Sequence, residues 1–81
     1  MDREKNRVIG ETLKRMRREQ GLTQGQVAQI LRTSQSVISA TESGKRGLQL
    51  VEAMAYSLAI NVKPIELFEE VDQSLHEAGL V

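Results

Sequence analysis

Cysteine and tryptophan are absent from this chain, and Tyr56 and Phe68 are its only tyrosine and phenylalanine. The absence of cysteine excludes disulfides, thiolate metal sites and thiol catalysis. With so few rings, aliphatic side chains and methionines must fill the core, which suits packed helices better than a sheet. The 81 residues include no apolar run long enough for a signal peptide or a membrane span. We expect one small cytoplasmic domain that does not interact with membranes.

The sequence also lacks any group of residues with catalytic or metal-binding spacing. His76 is the only histidine, and no second ligand lies near it in sequence. There is no nucleophile–base pair and no glycine-rich phosphate loop, and the Glu69-Glu70 pair is expected to be solvated. We predict that the protein is not an enzyme and needs no metal or other cofactor.

The net charge is zero, but the two halves of the chain differ in sign. Residues 1–46 carry ten Lys or Arg against five Asp or Glu, whereas residues 47–81 carry one against six. This separation is typical of a phosphate-facing surface with a second end for other contacts. The alternative is ordinary surface charge that happens to be unevenly scattered.

Apolar periodicity and capping residues predict five helices and no strand. The first covers residues 3–19, and its charged start is expected to fray, so that residues 1–7 form a flexible N-terminus. The fourth covers residues 48–60, and the fifth begins at Pro64. Four residues of the fourth helix are expected to face the core: Leu50, Ala53, Met54 and Ser57. The predicted fold is all-α, a compact five-helix domain over residues 8–68 with a short helical tail over 69–81.

Residues 22–45 contain the strongest local signals. Thr23 caps the second helix, and Gln26 three residues later completes a capping box. Ser34 caps the third helix, residues 35–43, and Gly44 suits the left-handed backbone that ends it. Two short helices joined by a tight turn are the layout of a helix-turn-helix, which places its second helix in the DNA major groove.

The chain resembles the phage-repressor family of helix-turn-helix proteins, also called the xenobiotic-response-element family. The matching segments are IGETLKRMRREQGLTQ at 9–24, SQSVISATESGKR at 34–46 and INVKPIELF at 60–68. The resemblance covers residues 8–68 without a gap, and it implies a five-helix, usually dimeric domain that binds operator DNA and regulates transcription.

Several positions depart from the pattern of that family. Arg32 stands where the family has glycine in the turn, and left-handed backbone at a non-glycine costs on the order of 1 kcal/mol. Gly25 replaces a usual Glu, and Thr41 replaces a usual Ile or Leu under the third helix. Gly47-Leu48-Gln49 replaces the usual Asn-Pro-Ser in the loop before the fourth helix.

The third helix and its surroundings supply the predicted DNA contacts. The Gln35 amide can donate to and accept from an adenine edge, whereas the smaller side chains are expected to distinguish less well between bases. An uncharged, solvated helix face is the alternative for all of them. The predicted base-reading residues are Gln35, Ser36, Ser39 and Ala40. The predicted phosphate contacts are Gln24, Thr33, Ser34, Ser43, Lys45 and Arg46. The resemblance implies that Arg17 and Glu42 form a structural ion pair between the first and third helices.

The fourth helix carries a second apolar stripe where the family shows polar residues. Val51, Ala55 and Leu58 recur at helical spacing, and Val71 and Leu75 form a weaker stripe in the tail. Either the tail covers the fourth helix within one chain or a second subunit does. We predict a two-fold symmetric homodimer built from these five residues, with a further protein partner at the C-terminal half as an open alternative.

Together, these features predict a sequence-specific transcriptional regulator, a dimeric repressor acting on a pseudo-palindromic operator in a bacterial or phage nucleoid. Two alternatives remain open. One is an antitoxin or restriction-modification controller with the same DNA-binding domain. The other is a protein-interaction adaptor that binds no DNA.

Overall fold

A computed structural model of the protein describes residues 2–81, and α-helices are the regular elements in that range. They are α1 (Asp2–Glu19), α2 (Gln24–Leu31), α3 (Gln35–Glu42), α4 (Leu50–Ala59) and α5 (Pro64–Glu77). The predicted all-α, five-helix fold is confirmed. No helix within residues 2–81 has both the length and the apolar character needed to cross a membrane.

Residues 2–7 of the predicted flexible N-terminus belong to α1 and form its first turns. Met1 lies outside the described residues. Asp2 and Glu4 in the first turn and Arg17 and Arg18 in the last complement the helix dipole. Residues 69–77 of the predicted helical tail continue α5.

The helix-turn-helix has the predicted caps. The Thr23 side chain accepts a hydrogen bond from the Gln26 N–H at 3.1 Å, and the Gln26 side chain accepts from the Thr23 N–H at 2.9 Å. Ser34 caps α3 through the Val37 N–H. Gly44 has a φ of 82° just after α3. These local hydrogen bonds fix where each of the two helices begins, independently of the core.

Arg32 adopts the left-handed conformation predicted for it, with a φ of 55° and a ψ of 44°. We expect Arg32→Gly to raise the free energy of unfolding by up to about 1 kcal/mol, because glycine has no Cβ to strain this conformation. Urea denaturation measures the change. Arg32→Ala is the matched control, since it removes the same exposed side chain and keeps the strain. Equal stability of the two variants would contradict the explanation.

The core is formed by side chains from all five helices. Its fully buried members include Leu13 of α1, Val27 of α2, Tyr56 of α4 and Leu67 of α5, and Ile38 of α3 packs among them. This packing holds α3 between α1 and α2, with one side left free.

The predicted core face of α4 is wrong at two positions. Leu50 is 69% exposed and Met54 41% exposed, whereas Tyr56, Ser57 and Ala59 are buried. The helix is turned because Tyr56 carries both a large ring for the core and a hydroxyl that reaches buried acceptors. Apolar periodicity alone favoured Leu50 and Met54 as core residues over Tyr56, because the tyrosine side chain ends in a polar hydroxyl. The helix also begins later than predicted, because Gln49 and Glu52 form a capping box there.

Candidate nucleic-acid interface

The free side of α3 carries the residues predicted to read bases. Ile38 and Thr41 are buried against the core, whereas Gln35, Ser36 and Ser39 are exposed and Ala40 is half-buried. The Thr41 hydroxyl donates to the Val37 carbonyl at 2.9 Å, so this buried threonine needs no partner from another helix. The arrangement leaves an uncharged surface of amide, hydroxyl and methyl groups, without a bulky side chain across it.

Gly25 at the start of α2 leaves space beside Gln35. A Cβ added to Gly25 would lie 3.6 Å from Gln35 Oε1, an ordinary van der Waals distance. The amide end of Gln35 therefore lies next to the first turn of α2.

Glu42, the last residue of α3, is the centre of a buried polar network. Its carboxylate accepts hydrogen bonds from Arg17 Nε at 2.7 Å, Arg17 Nη2 at 2.9 Å and the Tyr56 hydroxyl at 2.6 Å. Arg17 Nη1 also donates to the Leu22 carbonyl at 2.7 Å. The predicted contact between Arg17 and Glu42 is thus a buried, bidentate ion pair, with side chains 6% and 2% exposed. The network joins α1, α3, α4 and the turn before α2.

These contacts shift the protonation equilibria of the network. Burial by itself would raise the pKa of Glu42, but hydrogen bonds from Arg17, Tyr56 and Gln24 outweigh it and lower the pKa below the ordinary 4.5. The hydrogen bond to Glu42 raises the pKa of Arg17. Burial, with the nearby carboxylate, raises the pKa of Tyr56 well above its ordinary value. The network therefore consists of one anion, one cation and a neutral phenol at neutral pH.

Tyr56 was missed as a member of this site. The available signal was chemical, because the hydroxyl of a tyrosine buried on a mostly apolar helix needs a hydrogen-bond partner. Nothing in the local spacing indicated that this partner would be Glu42, 14 residues earlier in the chain.

Gln24 is held in place by the same carboxylate. Its Nε2 donates to Glu42 Oε1 at 3.1 Å, and the side chain is half-buried. An amide nitrogen has two protons, so one N–H remains for a ligand at the start of α2. The predicted phosphate contact is compatible with this geometry, and Glu42 sets its direction.

The other predicted phosphate contacts differ in how free their donors are. Thr33 and Lys45 are exposed. Arg46 pairs with Glu52 of α4, which holds the pKa of Glu52 below its ordinary value. The Ser43 hydroxyl donates to the Ala40 carbonyl at 3.2 Å.

Ser34 has the least freedom among these hydroxyl groups. Its Oγ caps α3 and lies 3.0 Å from Ser36 Oγ. To donate to a phosphate it would have to turn away from these local partners.

An apolar surface remains exposed on α4 and the start of α5. We call it the α4 surface. Its members are Leu50 69%, Val51 68%, Met54 41%, Leu58 63% and Ile65 62% exposed.

Of the remaining residues predicted for the dimer face, Ala55 and Leu75 are half-buried and Val71 packs against the core. The tail runs along α1, where Arg15 binds Glu70 at 2.7 Å, and it leaves Val51 and Leu58 uncovered. Coverage of α4 by the tail of the same chain, one of the two predicted possibilities, is therefore not seen.

Comparisons with known proteins agree with this architecture. Residues 8–59 match the model of a family described as the helix-turn-helix domain. The uncharacterized HTH-type transcriptional regulator y4dJ of Sinorhizobium fredii is 31% identical over 84% of this chain and 88% of its own length.

Two solved structures share the fold. The restriction-modification controller protein C.AhdI from Aeromonas hydrophila is 29% identical with a TM-score of 0.70, over 76% of this chain and 94% of its own. An XRE-family like protein from Pseudomonas syringae is 27% identical with a TM-score of 0.76, over 86% of this chain and 85% of its own. Together with the caps, the left-handed turn and the Arg17–Glu42 pair, these matches show that the chain belongs to the helix-turn-helix domain family.

Proposed function

We propose that the protein is a sequence-specific DNA-binding transcriptional regulator that acts as a dimeric repressor. The observation that carries the proposal is the free face of α3, where Gln35, Ser36 and Ser39 are exposed. The helix is held against the rest of the domain by the hydrogen bonds that its last residue, Glu42, accepts from Arg17 and Tyr56. A rigid helix with an uncharged, hydrogen-bonding face is suited to the base edges of the major groove.

Within this proposal, Gln35 recognises adenine. Its amide donates and accepts at once, which matches adenine N7 and N6, and its Oε1 lies beside Gly25 at the start of α2. Ser36 and Ser39 contact neighbouring base edges, and Ala40 packs against a thymine methyl. No arginine occurs between residues 35 and 43, so contacts to adenine and thymine are expected to outweigh contacts to guanine.

Gln24 and the backbone N–H groups that open α2 bind a phosphate on one side of the groove. The orientation of Gln24 by Glu42 supports this role. Thr33, Ser34, Ser43, Lys45 and Arg46 are the further phosphate contacts. Thr33 and Lys45 are the best placed of them, because their side chains are exposed and have no hydrogen bond within the described residues.

A second copy of this chain covers the α4 surface. Leu50, Val51, Met54 and Leu58 lie on one face of a single helix, and Ile65 extends that face onto α5. A two-fold axis through such a face makes it self-complementary. The two α3 helices would then meet half-sites about one helical turn apart on an inverted repeat.

Leu58→Asp is expected to convert the protein from dimer to monomer at micromolar concentration, because it places two charges in an apolar interface. Sedimentation velocity measures the change. Ile30→Asp is the matched control, since Ile30 is 56% exposed on α2 and lies outside the α4 surface. A wild-type protein that sediments as a monomer at high micromolar concentration would contradict the dimer.

Selection of binding sites from random duplex DNA at roughly physiological salt tests the function as a whole. Enrichment of an inverted repeat rich in adenine and thymine at the contacted positions is the expected result. If a folded protein enriches no sequence, the proposal fails and an adaptor role without DNA binding is favoured.

A restriction-modification controller is the second candidate function. It is favoured by the structural match to the controller of Aeromonas hydrophila over 94% of that chain. The two candidates share one DNA-binding mode, and they differ in whether the selected sequence lies beside restriction-modification genes.

A further inference from the structure

A basic cleft lies between the start of α1 and the loop after α3. It has a volume of about 610 Å³ and is lined by Arg3, Asn6, Arg7, Ser43, Gly44 and Lys45. Three of these six residues are cationic and none is acidic. This cleft includes the part of α1 that was expected to be flexible, and its α1 residues were not among the predicted DNA contacts.

Close backbone packing holds the two walls of this cleft together. Gly44 has a φ of 82°, and a Cβ added to it would lie 2.5 Å from Arg7 Cα. Gly47 lies beside the Asn6 side chain, since a Cβ added to it would lie 3.2 Å from Asn6 Nδ2. The absence of a side chain at Gly44 lets the backbone of α1 rest directly on the loop. The α1 backbone that carries Arg3 and Arg7 therefore keeps a fixed position relative to α3.

The charges in the cleft are available to an anion. Arg3 and Lys45 are exposed and make no ion pair within residues 2–81. Arg7 Nη1 contacts Glu11 at 2.8 Å, but both side chains are more than half exposed. Such an exposed pair within one helix contributes little to stability, so a phosphate can compete for the arginine.

We infer that this cleft binds a backbone phosphate of the DNA, beyond the bases that α3 contacts. The inference rests on the proposed DNA-binding function. The first residues of a recognition helix lie in the groove, so the loop after it emerges beside the sugar–phosphate backbone. Ser43, Gly44 and Lys45 form this loop, and Arg3 and Arg7 extend its positive surface away from α3. Gln24 is the proposed backbone contact at the start of α2, and the cleft adds a second one beside the loop after α3.

The test compares an Arg3→Ala/Arg7→Ala variant with a Lys5→Ala/Lys63→Ala control. Both lose two positive charges, and all four side chains are exposed. Lys5 lies on the same turn of α1 as Arg3 but about 200° around the helix, and neither control residue lines the cleft. Dissociation constants are measured against salt concentration on the selected operator and on an unrelated duplex.

We expect the cleft variant to bind both duplexes more weakly, with a salt dependence (slope of log K against log salt) shallower by about 0.9 per cleft. Its preference for the operator over single-base variants should stay unchanged, because phosphate contacts carry no sequence information. Arg3→Lys/Arg7→Lys should keep most of the wild-type slope. Circular dichroism confirms that each variant is folded.

The possible failures are distinct. Equal slopes for the cleft variant and the control, on a protein that selects an operator, overturn the cleft and leave the proposed function standing. A wild-type protein that selects no sequence, while the cleft variant still shows the shallower slope on unrelated DNA, overturns the proposed function and leaves the cleft. A wild-type protein that binds no DNA overturns both.

Discussion

Glu42→Ala is expected to lower the free energy of unfolding by about 3–5 kcal/mol, the usual cost of removing one partner from a buried ion pair. The physical reason is the set of donors left behind. Arg17 would keep a buried charge with only the Leu22 carbonyl as acceptor, and the Tyr56 hydroxyl and Gln24 amide would each lose an acceptor. Urea denaturation at neutral pH measures the loss.

Glu11→Ala is the matched control for this variant. Glu11 also accepts from an arginine of α1, but its side chain is 62% exposed, so the loss should be about 0.5 kcal/mol or less. Similar losses for the two variants would contradict the importance of burial.

The dependence on pH provides an independent test of the same network. The pKa of Glu42 is lower in the folded protein than its ordinary 4.5, so the folded state binds the proton less readily than the unfolded chain. Its contribution to stability is therefore fully present above pH 4.5 and is lost as the pH falls through the folded pKa. Glu42→Gln should be less stable at neutral pH and should lose less on acidification. Parallel acid curves for the two proteins would contradict this assignment.

Gln35→Ala is expected to weaken operator binding by about 5- to 150-fold per half-site, equivalent to about 1–3 kcal/mol for one bidentate base contact. In a dimer the loss occurs at both half-sites. The variant should also lose its preference for adenine at one position of each half-site, because alanine offers neither the donor nor the acceptor.

Fluorescence anisotropy on the operator and on its single-base variants measures both effects of Gln35→Ala. Gln73→Ala is the matched control, since Gln73 is an exposed glutamine on α5. Unchanged affinity together with unchanged base preference would show that Gln35 does not read DNA. The neutral, solvated face would then be the correct interpretation of α3.

The sequence predicted the helix-turn-helix well because its signals are local. The Thr23–Gln26 capping box, the Ser34 cap and the left-handed Gly44 each depend on residues within a few positions of one another. The Arg17–Glu42 pair joins residues 25 apart, and it was predicted only through the resemblance to a family. Its third partner, Tyr56, was not predicted, since no local pattern connects a phenol on α4 with a carboxylate on α3.

Local signals did not predict the structure correctly at the start of α1 and on α4. Residues 2–7, mostly charged, were expected to fray, and in the structure they belong to α1, whose backbone at Arg7 packs against Gly44. On α4, Leu50 and Met54 had the composition of core residues and are exposed. Both outcomes depend on contacts between segments that are distant in the chain.

By itself, the sequence determined five helices, the turn between α2 and α3, and the hydrogen-bonding character of the free side of α3, because caps and helical periodicity act over a few residues. Only the tertiary structure decided which face of α4 is buried and that Glu42 is a hub for three other side chains. It also decided that Arg3 and Arg7 share a cleft with Lys45. Those arrangements depend on which surfaces of distant helices bury apolar area and pair buried polar groups together, and local spacing carries no information about that choice.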